Sequence, residues 1–259
     1  MQLGKEEMVK RTLVASFCTR ERTADFGMFC IEKLGFKNTL QISNDLGFKE
    51  KYLQFAETGL KTDCEYFIRI DGDHFIYDGI FDLLNVAISE NYDWLTGVIY
   101  DYVMNNYRGG TPQILSRKVL ELLLEDNSLM PDRQKPESEF SINIKSRTKM
   151  GDVKIFTALH EYEQLPSKVC NSFLNRLYRN HYPRLYNDDY LRSLPQHYVN
   201  ALSAAFDFYS SNRSKVSMDF LNFEYLDSGF YPIDPASFND LYERHRLEYE
   251  RIRSKVKIG

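Results

Sequence analysis

The chain has 259 residues, enough for one large domain with a helical extension. Its 33 Lys and Arg residues stand against 37 Asp and Glu residues, a formal net charge of −4, so bulk attraction to nucleic acid is not indicated. The sequence shows no signal pattern, no apolar run that could span a bilayer and no paired cysteine spacing. These features predict a soluble cytoplasmic protein with reduced, buried thiols.

The first part of the chain alternates between short apolar runs and stripes of apolar residues at helical spacing. The predicted strands are 12–17, 39–43 and 66–70, and the predicted helices between them are 26–34 and 52–60. This strand–helix–strand–helix–strand order indicates a parallel βαβαβ unit with right-handed connections.

The middle of the chain continues as a mixture of helices, strands and charged loops. The predictions in chain order are a helix at 80–88, a strand at 93–100, a loop at 105–110, a strand at 113–116, a helix at 119–125, a loop at 126–141, a helix at 142–149 that Gly151 ends, and a strand at 153–159.

From Pro166 onward the pattern changes to helices, so we predict an α/β domain at 1–165 and a helical region at 166–259 that packs on it. Asp234-Pro235 predicts a helix start, with a capping side chain followed by proline in the first turn. The last helix carries both basic and acidic residues, which favours packing on the domain or on a second subunit. Peripheral membrane contact stays open.

The stretch with the most chemistry is Asp71-Gly72-Asp73, directly after the strand at 66–70. Ligands bind at the carboxyl ends of strands in open α/β sheets. Two carboxylates one residue apart repel each other, and a divalent cation with oxygen ligands removes that repulsion. The alternative is an ordinary turn. An EF-hand loop would need different residues at its later positions, and a haloacid-type phosphatase would need a threonine soon after the second aspartate.

A second candidate cluster, His160-Glu161, follows the strand predicted at 153–159. An imidazole at a strand end can bind a metal, or it can simply hydrogen-bond to neighbouring backbone.

In order and spacing, residues 12–161 resemble the GT-A glycosyltransferases, and more narrowly the family 2-like members. The shared features are a polar loop after the first strand, an acid after the second, the Asp-x-Asp motif after the third, an acidic loop before a helix, and a histidine after a late strand. The resemblance implies a GT-A fold, that is, an α/β mixed sheet flanked by helices, with a helical C-terminal region.

The resemblance also implies roles for individual residues. Asp71, Asp73 and His160 would bind Mn²⁺ or Mg²⁺, with Asp71 and Gly72 also facing the donor. Thr19 and Arg20 would hold the nucleotide, and Asp45 would contact the base. The catalytic base would be Glu139, with Glu137 as second choice, because Arg147 and Gly151 match the Arg-x-x-x-Gly pattern that follows it in the family.

The predicted activity is metal-dependent transfer of a sugar from a nucleotide-sugar, UDP-sugar favoured, to a hydroxyl of a glycan or lipid-linked acceptor, as in surface polysaccharide synthesis. Inversion is favoured because a candidate base is present and no nucleophile is evident. The alternatives are a nucleotidyltransferase or phosphatase that uses the same acids, or a non-catalytic glycan-binding protein. Homo-oligomer formation stays open.

Overall fold

A computed structural model of the protein describes residues 3–19, 21–43, 46–131, 136–178, 188–212 and 222–256. These residues form a seven-stranded mixed sheet flanked by helices. The strands are β1 (Thr12–Cys18), β2 (Asn38–Ser43), β3 (Tyr66–Asp71), β4 (His74–Ile76), β5 (Trp94–Asp101), β6 (Asn106–Ser116) and β7 (Met150–His160). The helices are α1 (Lys5–Lys10), α2 (Ala24–Lys33), α3 (Phe48–Leu60), α4 (Gly79–Ser89), α5 (Arg117–Glu125), α6 (Pro136–Ile144), α7 (Pro166–Tyr178), α8 (Asp188–Ser193), α9 (Gln196–Ser211) and α10 (Phe238–Arg253). The predicted fold class is therefore confirmed.

The predicted parallel βαβαβ unit is also confirmed, since β1 pairs in parallel with β2 on one side and β3 on the other. Every residue of β1 is buried, as expected for a parallel strand covered on both faces. Its side chains alternate between two cores: Phe17 packs with Phe55 of α3, whereas Val14 packs in the cluster that contains Ile31 of α2.

The sheet order is β2-β1-β3-β6-β5-β7-β4, so three strands separate β3 from β4 although only Gly72 and Asp73 connect them. In a flat sheet, four strand spacings would put these strands about 19 Å apart. The three Cα–Cα steps from Asp71 to His74 span at most about 11 Å. The sheet must therefore curl until its β4 edge returns to the end of β3, and the Asp71-Gly72-Asp73 turn lies at this closure.

The loop predicted at 105–110 is wrong, because Asn106–Ser116 forms one strand that pairs antiparallel with β5 and β3. The first five residues of β6 are exposed, so this half of the strand lacks the apolar alternation from which strands are predicted. Arg108 thereby lies on a strand, opposite Ile99 of β5.

The boundaries predicted around the two candidate bases are wrong as well. Helix α6 covers Pro136–Ile144, so Glu137 and Glu139 lie in its first turn rather than in a loop before it. Phe140 and Ile144, one turn apart, are buried in the core and fix this face of the helix.

The segment after α6 also differs from the prediction. Gly151 lies in β7 and does not end a helix; a Cβ atom there would come within 2.7 Å of the Tyr92 ring. Arg147 lies beyond α6 and donates a hydrogen bond to Glu125 at 3.1 Å.

The C-terminal helices include one that returns to the sheet. Tyr249 of α10 is buried; its hydroxyl accepts a hydrogen bond from Gly79 N at 3.2 Å and donates one to Phe156 O at 2.8 Å. The predicted helix start is confirmed, because Asp234 accepts a hydrogen bond from Ala236 N at 3.0 Å, just before α10. Within the described residues, no helix combines the length and apolar character needed to cross a membrane.

Candidate active site

The pairing register of the curled sheet brings three ionisable side chains together at the ends of their strands. His74 of β4 pairs with His160 of β7, and His160 pairs with Asp101 of β5. The His74 and His160 ring centroids lie 4.8 Å apart. This row forms where β4 closes against the end of β3, so it adjoins the Asp71-Gly72-Asp73 turn.

Asp73 and His160, both predicted as metal ligands, lie side by side. Asp73 Oδ2 is 3.3 Å from His160 Nε2. The other carboxylate oxygen of Asp73, Oδ1, is buried and accepts no hydrogen bond from the residues that the structure describes. Burial opposes the charge of this carboxylate, but the neighbouring His160 outweighs it and holds the pKa of Asp73 well below its usual range.

His160 is buried and bridges two carboxylates. Its Nδ1 lies 3.3 Å from Asp101 Oδ2, and Arg108 Nη2 lies 3.0 Å from its Nε2. Burial and Arg108 lower the pKa of His160, but Asp73, Glu161 and Asp101 together raise it to about 9. A carboxylate behind a histidine is the usual arrangement that orients an imidazole toward a metal.

Asp101 is fully buried and ties helix α7 to the sheet. Its carboxylate accepts hydrogen bonds from Arg176 at 2.6 Å and from Met104 N at 2.9 Å. Arg176 also donates to Glu161 Oε2 at 3.1 Å, and Ser172 donates to the other oxygen of Glu161. Burial raises the pKa of Asp101, but the charges of Arg176 and His160 outweigh burial and lower it well below its usual range.

His74 joins Asp73 and His160 in one group whose candidate ligand atoms lie within 4.8 Å of one another. Its Nδ1 accepts a hydrogen bond from Asp71 N at 3.2 Å, which places the proton of the neutral ring on Nε2. Burial, and next the charge of His160, lower the pKa of His74 to about 3, so the ring is neutral. In this arrangement the lone pair on Nδ1 is taken up by the Asp71 N–H, and the buried Nε2–H has no hydrogen-bond partner among the described residues.

Asp71 is held differently from Asp73. Its carboxylate pairs with Arg69, whose guanidinium is buried among aromatic rings. The guanidinium carbon lies 5.1, 5.3 and 5.7 Å from the ring centroids of Phe17, Phe48 and Tyr52. Asp71 therefore lies outside the group that could share one cation, and its predicted roles toward metal and donor stay predictions.

Gly72 is required by close packing of the turn against β1. Its N–H donates to Phe17 O at 2.9 Å, and its carbonyl accepts a hydrogen bond from Thr23 at 3.1 Å. A Cβ atom at position 72 would lie 2.9 Å from the sulfur and 3.2 Å from the Cα of Cys18. Only glycine brings the backbone this close without a shift.

Thr19, predicted to contact the nucleotide, is surrounded by charged groups at the end of β1. Lys51 donates to Cys18 O at 2.6 Å and to Thr19 Oγ1 at 3.0 Å, and Lys168 donates to Thr19 O at 3.0 Å. Glu21 accepts a hydrogen bond from Thr19 N. Burial lowers the pKa of Lys51.

The remaining predicted residues are only partly placed. Arg20 and Asp45 lie outside the described residues, so their predicted nucleotide contacts stay predictions. Glu137 is half-buried on α6 and lies near enough to Arg69 to stabilise its charge, which puts this glutamate on the Asp71 side of the site. Glu139 is half-buried in the same turn of α6.

Asp73 and His160 open into a cavity of about 270 Å³. Its lining also includes four polar residues of α7, namely Lys168, Asn171, Ser172 and Arg176. A larger cavity of about 900 Å³ lies between β5, α9 and α10 and is rich in tyrosine. We place the candidate active site at the smaller cavity, because Asp73 and His160, the candidate metal ligands, line it.

These side chains fit a divalent cation. A carboxylate oxygen and an imidazole nitrogen 3.3 Å apart are suitable ligands for Mn²⁺, and the buried Oδ1 of Asp73 lacks any other described partner. A cation on His160 Nε2 would displace Arg108 from that nitrogen, and the guanidinium would keep its contact with Asp101, whose Oδ2 lies 3.3 Å from Arg108 Nε.

Sequence reasoning misses His74, Asp101 and Arg176. Asp101 follows an apolar strand just as Asp71 does, so the rule that flagged the Asp-x-Asp motif could have found it. Arg176 could not be found this way, because it reaches Asp101 from a helix that comes 75 residues later.

Comparisons with known proteins assign no family. No protein-family model and no curated protein matches the chain. Among solved structures, a protein from STIV is 15% identical with a TM-score of 0.45, covering 59% of this chain and 86% of its own. A glycosyltransferase involved in glycosylation of the major capsid of PBCV-1 is 10% identical with a TM-score of 0.37, covering 57% and 93%. A cytidylyltransferase from Leptospira borgpetersenii is 12% identical with a TM-score of 0.39, covering 80% and 98%. At TM-scores below 0.5, these similarities assign neither activity nor ligand to this chain.

Proposed function

We propose that this protein is a divalent-metal-dependent glycosyltransferase that moves a sugar from a nucleotide-sugar to a hydroxyl of a glycan or lipid-linked acceptor. One observation carries the proposal: Asp73 and His160 lie 3.3 Å apart at the strand ends, and Asp73 keeps a buried oxygen without a described partner. The C-terminal edge of such a sheet is where nucleotide ligands bind.

In this proposal, Asp73 and His160 hold the cation, and Asp101 orients the imidazole. The cation, Mn²⁺ or Mg²⁺, supplies charge neutralisation for the leaving diphosphate. Lys51 and Lys168, which contact the backbone end of β1, add positive charge on the side where the nucleotide would lie.

The reaction is a single displacement. The acceptor oxygen forms a bond to the anomeric carbon while the bond from that carbon to the diphosphate breaks, and the hydroxyl proton passes to a carboxylate. Glu139 is our first choice for this base and Glu137 the second. A single displacement inverts the anomeric configuration.

The test is release of nucleoside diphosphate from a panel of UDP-, GDP- and ADP-sugars, with Mn²⁺ or with chelator. We expect one donor to react, and we expect chelation and the near-isosteric Asp73→Asn substitution to abolish release. Asp63→Asn is the matched control, since Asp63 is exposed just before the same strand. Release that survives both chelation and Asp73→Asn would refute the metal site, and donor binding without release would favour a glycan-binding protein.

A second candidate is a nucleotidyltransferase, the alternative that the two lysines at Thr19 favour. A nucleoside triphosphate carries more negative charge than a nucleotide-sugar, and Lys51 and Lys168 would counter it. The same preparations separate the two activities. Pyrophosphate released from a triphosphate and a sugar phosphate indicates nucleotidyl transfer, whereas diphosphate released from a nucleotide-sugar indicates glycosyl transfer.

A further inference from the structure

The cavity beside Asp73 is lined by residues with buried polar atoms that have no hydrogen-bond partner in the described part of the chain. Gln164 is 2% exposed, and its Oε1 accepts no hydrogen bond from the described residues. The same holds for the buried Oδ1 of Asn171, and both side chains line the cavity. Gln164 and Asn171 therefore bring two buried amide oxygens to the lining of one cavity of about 270 Å³, beside the Asp73 carboxylate that we assign to the cation. Buried polar groups are normally paired, so these two amide oxygens indicate a ligand that donates hydrogen bonds.

The charges around this cavity balance. Its lining contains three carboxylates and three cationic side chains besides His160, namely Glu21, Asp73, Glu161, Arg108, Lys168 and Arg176. Arg176 is already paired with Glu161 at 3.1 Å, and the charge of His160 is matched by Asp101 behind it. The charged side chains of the lining are therefore matched by one another or assigned to the cation, and the polar groups left for an uncharged part of the ligand are the two neutral amides.

The size of the cavity limits the ligand further. Pockets for drug-sized molecules measure roughly 300–1,000 Å³, so a space of about 270 Å³ suits a single small ring. A pyranose is an uncharged ring of this size that donates several hydrogen bonds, and it is the group that the proposed reaction transfers.

We infer that this cavity holds the sugar ring of the donor, and that Gln164 and Asn171 determine which sugar is accepted, by accepting hydrogen bonds from its hydroxyl groups. The inference rests on the proposed function and adds the recognition of the transferred group. It assigns the specificity to helix α7 and to the segment before it, and not to the Asp-x-Asp turn. A site whose buried acceptors need a hydroxyl rejects sugars that lack one at that position.

The test is calorimetric binding of UDP and GDP, and of UDP-glucose, UDP-galactose, UDP-N-acetylglucosamine and GDP-mannose, in the presence of Mn²⁺. Asn171→Ala and Gln164→Ala should each weaken binding of the preferred nucleotide-sugar roughly three- to tenfold, the effect of one neutral hydrogen bond. Binding of the matching nucleoside diphosphate, which has no sugar, should not change.

Two further variants control for folding and chemistry. Asn171→Asp keeps an acceptor oxygen and should retain more nucleotide-sugar affinity than Asn171→Ala. Asn175→Ala removes the same side chain four residues further along α7, outside the cavity wall, and should bind like the wild type.

The outcomes separate the two proposals. If the wild type binds the diphosphate and the nucleotide-sugar, but Asn171→Ala and Gln164→Ala bind both as the wild type does, the sugar-ring assignment is overturned and the proposed function stands. If the wild type binds no nucleoside diphosphate and no nucleotide-sugar, the proposed function is overturned and the assignment with it.

Discussion

Replacement of Asp101 by asparagine tests whether this buried carboxylate orients His160. Asp101→Asn keeps the shape of the side chain and an oxygen for the backbone N–H at Met104, but it removes the negative charge 3.3 Å from His160 Nδ1. Arg176 keeps its second partner, Glu161. The asparagine NH₂ group takes the place of Oδ2, so the substitution acts both on the imidazole and on the hydrogen bond from Arg176, and α7 stays tied to the sheet through Glu161.

The expected magnitude follows from these contacts. Loss of the partner behind a ligating histidine weakens metal binding about 10- to 100-fold, which corresponds to about 1.4–2.7 kcal/mol. The loss of the hydrogen bond from Arg176 to position 101 should lower the free energy of unfolding by about 1–3 kcal/mol. Metal affinity and stability should both fall, and the drop in affinity is the diagnostic part.

The assay is Mn²⁺ titration followed by calorimetry, with urea unfolding of the metal-free protein in parallel. Asp93→Asn is the matched control at the opposite end of β5. Asp93 accepts hydrogen bonds from Ser116 at 2.9 Å and from Lys149 N at 2.9 Å. Its replacement should lower stability without changing Mn²⁺ affinity.

Two results would refute this reasoning. Mn²⁺ affinity unchanged in Asp101→Asn would show that Asp101 does not orient a ligating histidine. An equal loss of affinity in Asp93→Asn would show that Mn²⁺ binding only follows overall stability.

Three other substitutions have defined outcomes. Gly72→Ala would bring a Cβ within 2.9 Å of a cysteine sulfur at the end of β1, and it should lower the free energy of unfolding in urea by about 1–3 kcal/mol. Glu139→Gln should lower kcat about 10²- to 10⁴-fold with donor binding retained, whereas Glu137→Gln should have a small effect. Tyr249→Phe leaves a buried N–H and a carbonyl without their partner; it should lower the unfolding free energy by about 1–3 kcal/mol and leave kcat unchanged.

Each of these predictions has a control or a contradicting outcome. Gly4→Ala adds a methyl group in open space and should be neutral, so equal losses at both glycines would refute the packing argument. If Glu137→Gln lowers kcat more than Glu139→Gln, the base is Glu137. The exposed Tyr225→Phe should keep wild-type stability, and a drop in kcat for Tyr249→Phe would mean that α10 acts on the site.

The sequence was sufficient for the elements whose burial is uniform or periodic. Strands β1 and β3 consist mainly of apolar residues, and the three parallel strands with their two helices were predicted with small errors at the ends. The exposed half of β6 and the position of α6 were not predicted. Exposed residues in a strand show no apolar period, and a helix start after residues of mixed charge has no strong cap signal.

Residues of the candidate site could be predicted where they directly follow an apolar strand in the sequence. Asp73 and His160 were both identified from what precedes them, and the structure brings them together. Strand β4 was missed because three residues are too short for a period, yet its pairing with β7 is what sets His74 opposite His160. The contribution of Arg176 depends on how α7 packs across the sheet, which local patterns do not encode.

The two-residue link between β3 and β4 has a thermodynamic consequence. A ligand bound by both Asp73 and His160 connects that link to the end of β7. It therefore spans the seam, the place where the β4 edge of the curled sheet returns to the end of β3. Opening the seam destroys the ligand site, so ligand binding and closure are coupled, and a ligand at 100 times its Kd would hold the seam shut by about 2.7 kcal/mol more. Amide protons of β4 should then exchange with solvent more slowly while the ligand is bound, and faster each time it leaves.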